Sequence, residues 1–420
     1  MRALYNVLLA LVLPFLPLRL WWRGRKEPGY RAHVAERFGR YAVRPDAPVI
    51  WLHAVSLGET RAAQPLVTAI LERFPGYPLV VTQMTATGRA AAESLYGGRA
   101  IVAFLPYDYS SAVARFLDHF RPRLGILMET EVWPNLLRGC ARRGVPVLLA
   151  NARLSEKSAH GYARVASLAR EAFGDLALVA AQAEPDAARF RALGAKAVEI
   201  TGNMKFDLTP SPAALALGDE FRGRTGGRPV LLLASTREGE ETLLLDALEE
   251  KASAETVVVL VPRHPQRFDE VAALLEKRGL DYLRRSENRT LPSGCRYVLG
   301  DSMGEMTAYY SACDVAIIGG SLLPFGSQNL IEACAVGAPV VLGPSTFNFA
   351  QAAELALAAG AAVQARDAAS AVDAACALLG EPERRKRMSE AGRAFCAAHR
   401  GATARTMALV ERLLTGAGDR

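Results

Sequence analysis

Metal-binding spacing is missing from this chain: none of its six cysteines forms a CxxC pair, and its six histidines form no HxxxH pair or Cys/His cluster. A structural zinc site is therefore not expected. Cys140, Cys295, Cys313, Cys334, Cys376 and Cys396 lie mostly in apolar or helical contexts and read as reduced cytoplasmic thiols. Fixed-period repeats, heptad arrays and low-complexity tracts are also missing, which excludes solenoids and long coiled coils. With 50% hydrophobic and 22% charged residues there is no room for a long disordered tract. At 420 residues the chain exceeds one ordinary core, so two domains are expected.

What is present in excess is positive charge, 50 Lys and Arg against 43 Asp and Glu, for a net +7. Arg19, Arg23, Arg25, Lys26, Arg31, Arg37 and Arg40 face only Glu27 and Glu36, directly after the most apolar stretch. These cations lack the interleaved aromatics of a nucleic-acid surface, so an anionic membrane is the better partner. From Leu4 to Trp22 the chain is apolar except Asn6 and Arg19, about 28 Å as a helix at 1.5 Å per residue. Pro14 and Pro17 are expected to bend it, and Trp21 and Trp22 before Arg23 mark an interface anchor. Spanning and lying in one leaflet are both open, and the basic collar favours the cytoplasmic side. A cleaved signal peptide is the weaker reading: only Arg2 precedes the apolar run, and no small-x-small site follows it before the arginines.

After Tyr41 short apolar runs alternate with amphipathic segments, the pattern of buried parallel strands in βαβ units. The expected strands are Val49–Val55, Leu79–Gln83, Ala100–Leu105, Leu124–Met128, Val145–Ala150, Leu178–Ala181 and Val198–Thr201. A second set is expected at Val230–Ala234, Val257–Val261, Tyr297–Leu299, Val315–Ile318, Pro339–Leu342 and Ala361–Gln364, followed by helices over Ala368–Leu379 and Glu381–Leu414. The fold class is α/β, two Rossmann-like doubly wound lobes facing across a cleft, with an amino-terminal anchor helix. The domains are expected at 1–26 (anchor), 27–207, 208–228 (linker with a lead-in helix) and 229–420.

Three segments carry chemistry. His53-Ala-Val-Ser-Leu-Gly-Glu59 delivers a carboxylate to the carboxyl end of the first strand. Spacing alone leaves Glu59 even between a catalytic carboxylate and the far half of a capping box on the Ser56 amide. A helix dipole there would lower its pKa and keep it ionised. Met128-Glu-Thr-Glu-Val-Trp-Pro-Asn135 ends another strand, and persistent strand geometry would let only one of Glu129 and Glu131 face the cleft; solvated loop acids are the competing reading. In the second lobe Gly319-Gly-Ser321, reached from a strand and followed by a helix with Glu332, exposes amides suited to a phosphate. A capping box with Asn329 as cap is the alternative for Glu332. Arg263, His264 and Lys205 are cations at strand ends that could neutralise a departing phosphate.

Taken in order, these segments resemble the 3-deoxy-manno-octulosonic acid (Kdo) transferases that glycosylate lipid A precursors in Gram-negative bacteria. The resemblance also runs through Leu-Tyr-Asn6, Glu36-Arg-Phe-Gly39, Thr85-Ala-Thr-Gly88, Asn151-Ala-Arg-Leu-Ser155, Gly202-Asn-Met-Lys-Phe-Asp207, Pro262-Arg-His-Pro265, Gly300-Asp-Ser-Met-Gly-Glu305 and Gly343-Pro-Ser-Thr-Phe-Asn-Phe349. It implies a GT-B fold and inverting transfer from CMP-Kdo, with no metal and no other cofactor. It further implies Glu59 as catalytic base with Lys205, at the cytoplasmic face of the inner membrane. CMP would then lie against Arg263, His264, Met303, Gly304, Glu305, Gly320, Ser321, Asn329 and Glu332. The acceptor would meet Ser56, Gly58, Thr85, Thr87, Glu129, Glu131 and Arg153. Gly326-Ser-Gln-Asn329 departs from the family's Gly-Gly-His-Asn, and Ser345 stands where His is usual, so a cationic histidine has no counterpart at either position. Other GT-B transferases or epimerases, and a membrane-docked binding module without turnover, are the alternative classes. Intact Glu59, Lys205, Arg263 and Glu332 speak against the last.

Overall fold

A computed structural model describes residues 1–25, 27–251, 253 and 255–416. Lys26, the last residue of the expected anchor, and residues 417–420 of the expected second domain lie outside the described residues. Two compact units emerge: Met1–Leu208 joined by the chain from Arg400 onward, and Thr209–His399.

The first unit is built on seven strands: β1 (Val49–His53), β2 (Leu79–Gln83), β3 (Ile101–Phe104), β4 (Pro122–Met128), β5 (Val147–Ala152), β6 (Leu178–Ala181) and β7 (Val198–Ile200). All pair in parallel in the order β3-β2-β1-β4-β5-β6-β7. Both faces are covered, which is why β1 reads as a continuous apolar run. Val49 and Trp51 enter one core cluster, and Ile50 and Leu52 the other. The order reverses direction between β1 and β4, so the loops leaving these strands border the crevice where such sheets bind ligands.

The second unit carries β8 (Val230–Thr236), β9 (Val257–Pro262), β10 (Tyr282–Arg284), β11 (Tyr297–Leu299), β12 (Val315–Ile318), β13 (Val340–Leu342) and β14 (Ala362–Gln364). They too are parallel, in the order β10-β11-β9-β8-β12-β13-β14, with the reversal between β8 and β12. The edge strand β10 is absent from the expectation.

Two expected boundaries change. Within the supposed linker, the helix Pro212–Gly223 packs into the second unit, with Phe221 and Tyr309 ring centroids 5.1 Å apart and Arg222 bonded to Asp314 at 2.6 Å. The final helix, Ala402–Gly416, belongs to the first unit rather than the second. Its start is held by Asp207, whose two oxygens accept from the Gly401 and Thr403 amides, each at 2.6 Å. Asp207→Ala is expected to cost the first unit about 1–2 kcal/mol, read as a lower urea midpoint. An unchanged midpoint would show that the capping is idle.

The amino-terminal segment is helical at Arg2–Val12 and Leu16–Arg23, joined by a tighter turn at Leu13–Phe15. That turn holds Pro14, one of the two prolines expected to interrupt the helix.

Candidate active site

In the first unit Ser56 ends the extended segment after β1 and caps the helix Leu57–Ala62. Glu59 turns back on this cap. Its Oε1 accepts from Ser56 Oγ at 3.0 Å and its Oε2 from the Val55 amide at 2.8 Å, while Ser56 Oγ accepts from the Glu59 amide at 3.4 Å. The backbone partner is thus Val55 rather than the expected Ser56. The capping geometry forms, yet the expected electrostatics do not. Burial, then repulsion from Glu129 and Glu131, pushes the Glu59 carboxyl up to about 7, against the lowering bonds from Val55 and Ser56. A dipole at the start of a six-residue helix is the weaker influence.

Both glutamates after β4 act on Glu59, so the strand alternation that would separate them does not persist. Glu129 adopts a left-handed backbone, φ 58°, directly after the strand. Such a conformation costs about 1–3 kcal/mol and re-aims the chain. Lys205 Nζ bonds Glu129 Oε1 at 2.9 Å. It stands in the turn Met204–Asp207, which Asn151 fixes by accepting the Met204 amide at 3.0 Å. Burial first, then Glu129, also raises Glu131. Three acids and one lysine therefore share the crevice between β1 and β4.

The other expected acceptor residues divide. Thr85 is committed to structure: it donates to the Val55 carbonyl at 3.1 Å and accepts from the Gly88 amide at 3.0 Å, capping the helix Ala86–Tyr96. Thr87 and Gly58 are exposed. Arg153 joins the Glu129 loop through backbone bonds, its amide on the Glu129 carbonyl at 3.4 Å and its carbonyl on Thr130 Oγ1 at 3.1 Å. His53 is wholly buried with Nδ1 3.0 Å from the Thr82 carbonyl, and burial pushes its imidazole down to about 3, so it stays neutral.

In the second unit the loops after β8, β9 and β12 meet. Arg263 follows β9; its amide bonds the Thr236 carbonyl at 3.0 Å and its Nε donates to Gln328 Oε1 at 3.1 Å. Gln328 thus accepts from a cation at the position where a histidine is usual. Burial lowers His264, with Arg263, Arg237 and Arg267 adding to the fall. Glu332 accepts from Thr307 Oγ1 at 2.5 Å, and Asn329 accepts the Ile331 amide at 3.2 Å. The alternative reading of Glu332, a capping box with Asn329, is not formed. Gly304, φ 88°, and the exposed Met303 lie on the loop before the helix that carries Thr307. Glu305 stands apart, bonded to Arg285 at 3.1 Å.

The Gly319-Gly320-Ser321 loop differs most from expectation. Of its amides, that of Gly320 goes to Glu240 and that of Gly319 to the Ala234 carbonyl at 2.7 Å, so neither awaits a phosphate. Glu240, fully buried, accepts from the Arg237 and Gly320 amides on Oε2 (2.8 and 2.6 Å) and from the Leu322 and Leu323 amides on Oε1 (3.0 and 3.4 Å). Ser321 is likewise buried, its hydroxyl donating to the Ile318 carbonyl at 2.5 Å and accepting the Gly343 amide at 2.8 Å. A Cβ on Gly319 would stand 2.5 Å from the Ser235 carbonyl, so only glycine lets β12 close on β8 here. The helix with Glu332 begins only at Ile331, well after this loop. Sequence reasoning passed over Glu240; the available signal was two adjacent acids, Glu240 and Glu241, just after a strand ending in Ser-Thr.

Among the described residues no group of three or more His, Cys, Asp or Glu side chains comes together to hold a metal. The family model described as 3-deoxy-D-manno-octulosonic-acid transferase (kdotransferase) matches residues 32–208, and that of glycosyl transferases group 1 matches 248–395. The 3-deoxy-D-manno-octulosonic acid transferase of Bordetella pertussis is 48% identical over 425 residues, 98% of this chain and 99% of the relative. That of Haemophilus influenzae is 34% identical over 418 residues, 98% of each. Among solved structures, S. aureus MnaA with UDP is 14% identical, covers 88% of this chain and 97% of that one, and has a TM-score of 0.60, a likeness of fold. The switch-point acids, the two parallel sheets of GT-B type and near full-length identity to these enzymes converge: the chain belongs to the 3-deoxy-D-manno-octulosonic acid transferase family of glycosyltransferases.

Proposed function

We propose that this transferase moves Kdo from CMP-Kdo to a hydroxyl of a lipid A precursor, lipid IVA, with inversion, at the cytoplasmic face of the inner membrane. The observation that carries the reading is the Glu59 carboxyl, raised to about 7 by burial and by Glu129 and Glu131 at the switch point of the first sheet. A base is most effective with a pKa near the working pH. Glu59 takes the proton of the acceptor hydroxyl as its oxygen bonds the anomeric carbon. The bond from that carbon to the CMP phosphate oxygen breaks on the opposite face, and CMP leaves with the electron pair. Lys205, paired with Glu129, keeps the acidic cluster from being three uncompensated charges.

The second unit is assigned CMP. Arg263 and Arg237 offer charge to its phosphate, and Glu332 offers acceptor atoms to its ribose hydroxyls. Arg263→Ala is expected to weaken CMP binding about 10- to 100-fold, measured calorimetrically, since bonds to charged groups contribute roughly 1.5–3 kcal/mol. Undiminished affinity would move the phosphate elsewhere.

The function itself is tested by incubating purified protein with CMP-Kdo and tetraacylated lipid A precursor and weighing the product by mass spectrometry. The absence of product, with none appearing on addition of membranes, sinks the proposal. A thermal shift with UDP and none with CMP would favour a UDP-sugar transferase or epimerase instead.

A further inference from the structure

Arg2–Arg23 is a helical stretch of 22 residues whose most apolar 18 residues have mean hydropathy 1.8, long and apolar enough by length and composition to cross a bilayer. Its two sides differ. One stripe, at helical spacing, is held by the first unit over most of its length. Arg2 donates to the Pro134 carbonyl at 3.2 Å and lies 3.4 Å from Glu171. The Tyr5 hydroxyl donates to Asp108 at 2.9 Å, and Asn6 accepts from Asn135 Nδ2 at 2.7 Å. Tyr109 donates to the Leu9 carbonyl at 2.7 Å, and Leu16 and Leu20 are buried. The opposite stripe, Leu4, Val7, Leu8, Leu11, Phe15 and Leu18, is more than half exposed at every position.

A helix that spans has hydrocarbon around its middle, where an unsatisfied polar group costs several kcal/mol. Keeping the bonds of Arg2, Tyr5 and Asn6 while spanning would carry the loop of Asp108 and the helices that hold Asn135 and Glu171 into that hydrocarbon. A helix in the interface has no such conflict, since its polar side stays with the protein and its apolar side enters the acyl region. The exposed Arg19, Arg23 and Arg25 complete the fit to an anionic leaflet, with Arg25 stacked on Trp21 at 4.2 Å.

Resting on the membrane reading above, we propose that residues 2–23 do not cross the bilayer but lie in the plane of one anionic leaflet. The outward leucine stripe sinks into the acyl region, and the inward stripe is latched to Asp108 and Asn135. Because Asn135 closes the segment that begins with Glu129 and Glu131, the latch holds the acceptor loop at the lipid surface.

The test uses the full chain on vesicles containing anionic lipid, with a nitroxide at Leu4→Cys, Leu11→Cys or Leu18→Cys, and the signal of identically treated wild-type protein subtracted. Depth is read from the relative accessibility to oxygen and to a water-soluble nickel chelate. The in-plane helix gives three depths equal to within a few ångströms. A spanning helix places Leu11 about 10 Å deeper than both others, seven residues at 1.5 Å each, and overturns the proposal while leaving the membrane reading intact. Failure of the wild-type protein to bind the vesicles overturns both.

Discussion

Glu59→Gln is expected to lower kcat about 10²- to 10⁴-fold, leave CMP affinity unchanged and make the folded protein more stable at pH 8. The last effect follows from linkage. A carboxyl raised from 4.5 to about 7 on folding binds its proton more tightly in the folded state. Its contribution to stability is greatest below 4.5 and is lost as pH rises through about 7. Glutamine removes the buried charge, so denaturation at pH 8 should show a gain of up to about 3 kcal/mol that shrinks towards pH 5. Wild-type kcat/KM should fall tenfold per pH unit below about 7, because protonated Glu59 accepts no proton. Glu131→Gln should move that limb to lower pH by removing one of the two repelling charges. A rate loss accompanied by lower stability at pH 8 would make Glu59 a structural cap.

Glu240→Gln should be the most damaging single change in the second unit. The two oxygens of Glu240 share four backbone amides, and glutamine turns an amino group towards two of them. Buried donors left facing donors cost about 1–3 kcal/mol each, so roughly 2–6 kcal/mol of stability and at least tenfold in CMP affinity are at stake. Melting temperature and CMP titration read the two effects separately. A variant that melts and binds as the wild type does would show that the Gly319–Ser321 loop stands without Glu240.

Most of the framework was readable because parallel strands covered on both faces leave apolar runs such as Val49–His53 and Val257–Pro262. The strand Tyr282–Arg284 escaped because it is three residues long, pairs on one side only and ends in Arg284, with Arg285 directly after it. Glu59 was visible as a carboxylate at a strand end. Its raised pKa was not, since it comes first from burial in the folded unit and then from repulsion by Glu129 and Glu131, some 70 residues away. Glu240 sits in an acidic run that looks like the solvated first turn of a helix, and only the adjacency of β8 and β12 shows four amides converging on it. The ion pair of Glu305 with Arg285 is a product of tertiary structure that its sequence neighbours Met303 and Gly304 do not reveal.

The helix Ala402–Gly416, tied by Asp207 to the first unit, has a consequence for biogenesis. On the ribosome the strands of the first sheet emerge early, yet their core lacks Met407 and Val410 until the whole second unit has been synthesised. The second unit, contiguous from Thr209 to His399, has all its parts sooner. The nascent chain therefore has every part of its later-encoded unit first, and a break in the chain before Ala402 leaves the earlier one with an open apolar face.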